Sequence, residues 1–460
     1  MNYHNLFASF HDRQIHTALI GAGQFGETFI RQSSRIPHFN VDFVCDIDPE
    51  RAKAALLASG AEADNIAYAD STKQASTALQ SGAKVVTDDF SIIKGLALDC
   101  VVEATGNPEA AAQVAETALD CGFHLAMITK EADIVIGPYL HQKAKAAGVH
   151  VTPAHGDQPS LLIALISWVE TLGMKVIAAG KSSEYDFVFD PAGKRVSWRG
   201  QTQTIDQFDR LWQGTGNMAD DVRIRAAALS CFPQRTVPDL CEMGIVCNHT
   251  ALRPDTPGFH APHAKTIELC DVMADTSDGG ILGHTGVIDV FNCMRRIDEQ
   301  SFGGGVFVIV DTENDASWEV LAEKGICVST DGRRGLLYNP SHLLGLEAPI
   351  SIMSTVWLDQ PTGSQHIGHH VDLHAVAARD WQAGEVLAIT DHHHHEIAGL
   401  TPQLRDATKI GTSGALPYYM AAENRLVCDV RQGQIITADM VERPEDSTLW
   451  RLRGEMEACL

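Results

Sequence analysis

Between residue 16 and about residue 155, short apolar runs alternate with stretches of helical periodicity. The strand-like runs are HTALIGAG (16–23), NVDFVCDID (40–48), LDCVVEAT (98–105), FHLAMIT (123–129) and GVHVTPA (148–154). The stretches NPEAAAQVAETALDCG and DIVIGPYLHQKAKAAG have helical spacing, and each ends at a glycine. Strands that alternate with helices indicate a parallel sheet covered on both faces. We therefore predict a doubly wound α/β domain over residues 1–155.

The pattern changes after residue 155. Residues 156–174 predict a heavily buried helix with Asp157 near its cap and Pro159 in its first turn. Three strand-like runs follow among long helical and irregular stretches: KVIAAGK, VIDVF (287–291) and GVFVIVD (305–311). This pattern predicts a central α+β substrate domain over residues 156–360.

Two parts of the central domain carry separate predictions. The Pro/Gly/Asp-rich stretch 251–284 is expected to be a surface excursion that borders a cleft. Part of residues 330–355 is expected to pack back on the first domain. From residue 361 to residue 460, short strands and turns predict a small β-rich module.

Composition narrows the class of protein. The chain has 460 residues, is 45% hydrophobic and carries a formal net charge of −24, which fits a globular protein and disfavours nucleic-acid and anionic-membrane partners. There is no N-terminal signal pattern and no apolar run of the roughly 20 residues that span a bilayer. Eleven cysteines without a C-x-x-C pair indicate reduced thiols. We therefore expect a cytoplasmic protein.

The sequence IGAGQFG ends the first predicted strand and places Gly21, Gly23 and Gly26 in G-x-G-x-x-G order. The first glycine permits a tight turn, the second lets the backbone approach a pyrophosphate, and the third allows close helix–strand packing. We predict a Rossmann nucleotide site formed by residues 21–26, which include Ala22, Gln24 and Phe25. Asp46, at the end of the second strand, is placed to bind the adenosine ribose and favours NAD. Arg51 nearby leaves NADP open.

A second loop, in VVEATGNPEA, follows what we count as the fourth strand. Thr105, Gly106 and Asn107 are predicted to border the nicotinamide-side ribose. A well-capped strand–helix turn is an equally good interpretation.

Taken together, these motifs resemble homoserine-dehydrogenase-like oxidoreductases with a C-terminal SAF domain, a family that includes the DXP reductoisomerase-like enzymes. The further motifs behind the resemblance are KEADIVIGP, GDQPSL, AAGKSSEY, YNPSHLLGLE and AVAARDWQAGEVL. It covers nearly the whole chain and implies a nicotinamide cofactor, a small-molecule substrate, a homo-oligomer and a SAF-like fold over residues 361–460. The DXP reductoisomerase-like enzymes use NADPH. The resemblance therefore leaves NAD and NADP both open.

Homoserine dehydrogenases carry a lysine just after the fifth Rossmann strand, and Lys130 in MITKEAD resembles that residue. The DXP reductoisomerase-like members have an apolar residue there, so the resemblance does not fix one reaction. Thr129 and Glu347 are expected to border the cofactor.

Hydride transfer at an alcohol carbon needs a cation or acid near the reacting oxygen and a group that moves a proton. We predict Lys130, Lys181 and Asp157 as catalytic residues. A lysine desolvated in a cleft would have a lowered pKa and could move a proton. The alternatives are a solvated lysine at a strand end for Lys181 and helix capping for Asp157.

Other side chains are candidates for substrate binding. Glu184, with Asp186, would hold a hydroxyl or a divalent metal, or form the solvated face of a strand. His342 would contact substrate or cap the apolar helix that follows it. Arg334, beside Arg333, would bind a carboxylate or phosphate through bidentate hydrogen bonds, or lie in an exposed turn. No metal site is predicted.

The leading hypothesis is therefore an NAD(P)-dependent oxidoreductase acting on a small polyhydroxylated, carboxylated or phosphorylated substrate, with or without coupled isomerisation. The alternatives are a second-class DXP reductoisomerase, a homoserine dehydrogenase, and a cofactor-bound sugar-acid sensor.

Four consecutive histidines, His392–His395, lie in the terminal module, and His366, His369, His370 and His374 lie nearby. Adjacent residues of an extended segment point to opposite sides, so at most two of the four could face one ion. We interpret the run as an exposed, weakly metal-binding loop far from the chemistry. A structural metal that spans both clusters is the alternative.

Overall fold

The computed structural model describes residues 2–10, 12–391, 395–411 and 414–459. Its first sheet has seven parallel strands in the order β3-β4-β2-β1-β5-β6-β7. These strands are β1 (Ile15–Ile20), β2 (Phe39–Cys45), β3 (Ile66–Tyr68), β4 (Lys84–Thr87), β5 (Cys100–Glu103), β6 (His124–Met127) and β7 (Val151–Pro153). The predicted parallel sheet is confirmed.

Helices cover both faces of this sheet. They are α1 (Tyr3–Phe7), α2 (Gln24–Ser33), α3 (Pro49–Ala58), α4 (Thr72–Gln80), α5 (Pro108–Asp120) and α6 (Lys130–Ala147). One apolar core lies between the sheet and α2 and α3, and another lies between the sheet and α4, α5 and α6. This arrangement is doubly wound, as the alternation of patterns predicts.

The strand count from sequence was wrong by one. The runs that we count as fourth and fifth are β5 and β6, because β3 and β4 both precede them. With three and four residues, these two strands are too short to show a clear period.

The second sheet has nine strands and mixed direction, with β11-β10-β9-β14-β8-β15-β16 along its main path. The strands are β8 (Val176–Ser182), β9 (Phe187–Asp190), β10 (Arg195–Trp198), β11 (Gln201–Thr204), β12 (Arg253–Pro254), β13 (His263–Ala264), β14 (Val287–Arg296), β15 (Val306–Asp311) and β16 (Arg334–Asn339). Its helices are α7 (Gln158–Thr171), α8 (Phe208–Gln213), α9 (Met218–Ala228), α10 (Val237–Thr250), α11 (Leu269–Val272), α12 (Ser317–Glu323) and α13 (Ala348–Leu358).

Two of these helices join the sheets. Helix α10 packs against α6, α7 and β17 (Val371–Ala377). Helix α13 returns to the first sheet, where Ile352 and Val356 enter the same core as α2 and α3. The two sheets therefore share buried contacts.

The prediction of a surface excursion for residues 251–284 was only partly right, because parts of the stretch are exposed and Gly258 borders a cavity, whereas other parts enter the second sheet. Strands β12 and β13 within it pair in parallel with β14. The backbone N–H groups of His260 and Ala261 donate to the buried carboxylate of Asp289. The segment is therefore attached to the second sheet at β12, at β13 and at the backbone of His260 and Ala261.

The end of the chain holds β17, β18 (Leu400–Asp406), α14 (Tyr418–Ala421) and α15 (Thr448–Cys459). Strands β17 and β18 form an antiparallel pair, and α15 packs on α5 and α6. The Arg453 guanidinium on α15 forms a buried ion pair with Asp372 and donates to the Val135 carbonyl oxygen. The whole chain is an α/β protein. Among the described residues, no helix combines the length and apolarity needed to cross a bilayer.

Candidate active site

The glycine turn between β1 and α2 has the geometry that each glycine predicts. Gly21 has a φ of +103°, and a Cβ there would collide with the Ala104 carbonyl. A Cβ on Gly26 would collide with the Gly21 carbonyl oxygen. A Cβ on Gly23 would meet no protein atom within 4 Å. Gly21 and Gly26 are thus required by packing within the protein, whereas Gly23 leaves a cradle at the N-terminus of α2 that fits a pyrophosphate.

Asp46 supports this turn from the end of β2. Its carboxylate accepts from the Ala22 N–H at 2.7 Å and from the Asp48 N–H at 2.9 Å. Arg51 Nη1 lies 3.7 Å from the same carboxylate. Asp46 therefore fixes the turn and places negative charge where an adenosine ribose would bind.

Glu103, at the end of β5, organises the second loop. Its carboxylate accepts from the backbone N–H and hydroxyl of both Thr105 and Thr129, at 2.7–3.2 Å. The Gly106 N–H donates to the Thr129 hydroxyl at 2.9 Å, which joins the loops after β5 and β6. Burial raises the pKa of Glu103, although its four donors act in the opposite direction. The Asn107 side chain caps α5.

Residues 342–347 lie across the start of α2. A Cβ on Gly345 would come within 3.0 Å of the Phe25 carbonyl oxygen, and the Leu344 N–H donates to the Gly156 carbonyl. Glu347 lies beside Gly156. This segment joins the glycine turn to the start of α7.

Five charged side chains from four segments meet beside the end of β6. Lys130 Nζ lies 2.6 Å from Glu242 Oε1 and 3.1 Å from both carboxylate oxygens of Asp157. Lys181 Nζ lies 2.9 Å from Asp239 Oδ1 and also contacts Glu242 Oε2. We call these residues the lysine cluster: Lys130, Asp157, Lys181, Asp239 and Glu242. Glu242 bridges both ammonium groups.

The electrostatics of the cluster contradict the expected lowered lysine pKa. Burial alone would lower the pKa of Lys130, but Asp157 and Glu242 raise it well above its ordinary value. The pKa of Lys181 is raised in the same way by Glu242 and Asp239. Burial would raise the pKa of Glu242, yet the two ammonium groups lower it to about 2. Both lysines are therefore cations at neutral pH, and neither is a base.

The two lysines differ in access. Both lysines border a cavity of about 180 Å³, but the Lys130 side chain is 24% exposed and the Lys181 side chain only 2% exposed. Lys181 lies inside β8 rather than after it. Lys130 is therefore the more accessible cation, and Lys181 contacts Glu242 from within β8.

Asp157 caps a helix and contacts Lys130, while its part in proton transfer stays a prediction. It caps α7 by accepting from the Gln158 N–H at 2.9 Å, and the same carboxylate holds Lys130. Its capping role and its electrostatic role are thus compatible.

Among the predicted substrate residues, Glu184 borders the same cavity as Lys130. His342 lies against Gly304; burial is the largest influence on its pKa, which is lowered. The solvated-strand interpretation was wrong for Asp186. This residue lies in the segment that connects β8 to β9, is buried, and accepts a hydrogen bond from Arg295 Nε at 2.6 Å.

Arg334 does not join the cluster. It begins β16 opposite Asp311, whereas Lys181 lies level with Val306, at the far end of the β15–β16 pair. Its guanidinium is buried and bonded to Asp278, Asp331 and the Cys270 carbonyl. A bidentate anion would have to displace these partners. Because Arg334 is buried, the exposed-turn interpretation was wrong for it, whereas Arg333 is exposed.

The sequence interpretation missed Asp239, Glu242 and Glu103. Asp239 and Glu242 stand three residues apart in the otherwise apolar helix α10, after the N-cap Thr236, whose hydroxyl forms a capping box with Asp239. Two acidic residues on one face of a buried helix were the sequence signal that could have predicted a charged cluster there. Glu103 was a charged residue within an apolar strand.

His395, the last residue of the histidine run, lies nearer to the cluster than predicted. His395 Nδ1 is 3.0 Å from Glu131 Oε1, and its side chain is 15% exposed. An exposed, remote loop was therefore the wrong interpretation for His395. His392, His393 and His394 lie outside the described residues.

The other histidine cluster is dispersed. His369 pairs with Asp372, and His374 is buried in β17. Within the described ranges, no three His, Cys, Asp or Glu side chains converge as metal ligands.

Comparisons with known proteins give distant structural matches. No curated protein matches the sequence. WlbA dehydrogenase of Bordetella pertussis, solved with NADH and UDP-GlcNAcA, is 17% identical with a TM-score of 0.28, over 38% of this chain and 48% of that one. Myo-inositol dehydrogenase of Lactobacillus casei is 18% identical with a TM-score of 0.28, over 38% of this chain and 47% of that one. The chain thus spans about half the length of these two proteins.

A probable dehydrogenase of Thermotoga maritima matches over 75% of this chain and 90% of that one, at 12% identity and a TM-score of 0.34. Structural matches at this level support no conclusion about the reaction.

Two family models match the sequence directly. Residues 21–153 match the NAD-binding domain of homoserine dehydrogenase, and residues 156–348 match the catalytic domain of oxidoreductase DRL. The first match contains the glycine turn, Glu103 and Lys130, and the second contains the other four residues of the lysine cluster. The chain is therefore similar, in order, to an NAD-binding domain of the homoserine dehydrogenase type and to an oxidoreductase catalytic domain.

Proposed function

We propose that this chain transfers a hydride between a nicotinamide cofactor and a hydroxyl-bearing carbon of a small polar substrate. The observation that carries the proposal is the position of Lys130. It begins α6 directly after Thr129, whose hydroxyl is bonded to the loop of Thr105 and Gly106. A fixed cation therefore lies at the carboxyl edge of the parallel sheet, where such folds bind ligands.

The bound nicotinamide would supply the hydride acceptor or donor. Lys130 donates a hydrogen bond to the reacting oxygen and stabilises the negative charge that develops there. Asp157, in contact with the same ammonium, is the carboxylate available to take the hydroxyl proton during oxidation. Asp239 holds Lys181, and Lys181 holds Glu242, which fixes the Lys130 side chain. These three are positioning residues.

The charge of the cluster bears on the substrate. Two ammonium groups and three carboxylates give a net charge of −1. Glu184 adds further negative charge at the same cavity. A phosphate dianion would be repelled here, whereas hydroxyl groups would find donors and acceptors. A hydroxyl-rich substrate is therefore favoured over a phosphorylated one, which argues against the DXP reductoisomerase alternative.

For the cofactor, we propose NAD(H). The Asp46 carboxylate would accept hydrogen bonds from the ribose hydroxyls and repel a 2′-phosphate, while Arg51 is already paired with it. Titration of the protein with NADH and with NADPH, followed by nucleotide fluorescence, should give the tighter dissociation constant for NADH.

The organisation of the chain gives further proposals. We propose three domains over residues 1–155, 156–360 and 361–460, with a SAF-like third domain and a homo-oligomeric assembly. Limited proteolysis tests the boundaries, and sedimentation equilibrium tests the assembly.

The central experiment is a dehydrogenase screen of small hydroxy acids and polyols with both cofactors. Lys130→Ala should lower kcat by about 100-fold or more, as expected for loss of an electrostatic partner of the reacting oxygen, while NADH binding is retained. The matched control is Lys143→Ala, which removes a lysine of equal exposure that pairs with Asp120 outside the site. Absence of saturable NADH and NADPH binding would overturn the proposal.

A further inference from the structure

A second cavity adjoins the lysine cluster at the start of α10. It measures about 480 Å³ and is bordered by four separate parts of the chain. Its walls come from the β10–β11 turn, from residues 233–240, from Gly258, and from the C-terminal module at Asp391, Glu396 and Gln403. Thr236 borders both this cavity and the one beside Lys130. The two cavities therefore meet at the first turn of α10.

The chemistry of the second cavity is different. In the lysine cluster, both ammonium groups are bonded to carboxylates. In the second cavity, the Arg235 guanidinium is exposed and donates to the His260 carbonyl oxygen at 3.5 Å. Within the described ranges, no carboxylate lies at salt-bridge distance from it. A cation with this freedom, in a chain of net charge −24, is suited to bind an anionic group through two parallel hydrogen bonds.

The other walls limit which anion fits. Two arginines, Arg199 and Arg235, and two acidic residues, Asp391 and Glu396, border this cavity. With the charges so nearly balanced, a single carboxylate is a better match than a phosphate dianion. The side chains of Gln403 and Thr401 offer amide and hydroxyl groups, and Trp198 offers an aromatic ring. This combination suits a carboxylate attached to a hydroxylated carbon chain.

The spacing along α10 is also suitable. Thr236 and Glu242 are six residues apart, or about 9 Å along the helix axis. One ligand of about six carbons could therefore have a hydroxyl at Lys130 and its far end in the second cavity.

We propose that the second cavity is a subsite for the carboxylate end of a sugar-acid substrate, with Arg235 as its anchor. The C-terminal module thereby forms one wall of the substrate site. This inference rests on the proposed function, because it assigns the substrate class of that site.

The test is equilibrium binding of three probes to the full-length protein saturated with NADH: D-gluconate, D-glucitol and D-glycerate. Isothermal titration calorimetry should show gluconate binding most tightly, because glucitol lacks the carboxylate and glycerate cannot span both cavities. Arg235→Met should weaken gluconate binding by about 10-fold to 100-fold, the usual range for a charge-assisted bond, and leave glucitol binding unchanged. Arg235→Lys should recover part of the loss.

Arg223→Met is the matched control, since it removes an exposed arginine paired with Asp220 on α9. It should leave gluconate binding unchanged. Equal binding of gluconate and glucitol to the unaltered protein, no effect of Arg235→Met on gluconate, or no gluconate binding at all would overturn the inference. NADH binding is measured in the same samples, so failure of the subsite is distinguished from failure of the proposed oxidoreductase.

Discussion

Two buried glutamates, one in each half of the site, show how partners determine charge. Glu103 and Glu242 are both at most 3% exposed. The donors to Glu103 are hydroxyls and backbone amides, and its pKa is raised. Glu242 contacts two ammonium groups, and its pKa falls to about 2. Uncharged donors to Glu103 hold the loops after β5 and β6 beside the proposed cofactor site, whereas two ammonium groups hold Glu242 in the lysine cluster.

The comparison predicts its largest effect for loss of Lys181. Lys181→Met leaves Asp239 and Glu242 buried with one ammonium fewer and should lower the free energy of unfolding by about 3–5 kcal/mol. Urea denaturation gives this quantity. Lys143→Met, at a lysine of 24% exposure that also has two acidic neighbours, should cost at most about 1 kcal/mol. Equal losses in the two variants would mean that the cluster does not behave as a buried charge network.

The second prediction concerns acid. Because the pKa of Glu242 is about 2 in the folded protein and about 4.5 when unfolded, the unfolded chain binds protons first as pH falls. The contribution of Glu242 to the free energy of unfolding is full above pH 4.5 and is lost as the pH falls toward 2. It amounts to about 3 kcal/mol, at about 1.36 kcal/mol per unit of pKa difference.

Urea titrations at a series of pH values between 2 and 6 measure this slope. Other carboxylates also contribute to it, so the readout is the difference from each variant. Glu242→Gln should flatten the slope between pH 4.5 and pH 2. Glu103→Gln should not, because the pKa of Glu103 is raised and its titration lies above that window. If only Glu103→Gln flattened the dependence of stability on pH in this window, then Glu103 rather than Glu242 would be the glutamate with the lowered pKa.

The third prediction separates two glycines of the turn. Gly21→Ala places a Cβ against the Ala104 carbonyl at a φ of +103° and should cost about 1–3 kcal/mol of stability. Gly23→Ala meets nothing and should change stability by no more than about 0.5 kcal/mol. It should nevertheless weaken NADH binding about tenfold or more, because the methyl group would occupy the phosphate cradle. Unchanged NADH affinity in Gly23→Ala would place the pyrophosphate elsewhere.

The same contrast explains what the sequence could predict. The glycine turn is built within six consecutive residues, so the spacing of its three glycines is enough to predict its geometry. Asp46 and the Thr105 loop follow from the order of strands, since carboxyl ends of parallel strands meet at one edge. The doubly wound fold was predictable for this reason.

The lysine cluster was only partly predictable. Lys130 and Lys181 could be named, but their common partner Glu242 is 112 residues from the first and 61 from the second. Without that partner, desolvation alone predicted a lowered lysine pKa. The predicted direction was wrong, because the pKa of each lysine is raised. For His395, the neighbouring Glu131 likewise belongs to a remote part of the chain. Contacts of this kind depend on how the sheets pack, which periodicity does not specify.

Helix α15 has a consequence for the order of synthesis. The Ser447 hydroxyl and the N–H groups of Thr448 and Leu449 donate to Glu109, at the start of α5. The outer surface of α5 and α6 is thus completed by residues translated more than 300 positions later. We expect a nascent chain on the ribosome to expose apolar parts of α5 and α6 until α15 emerges, which makes this surface a natural target for chaperones during translation.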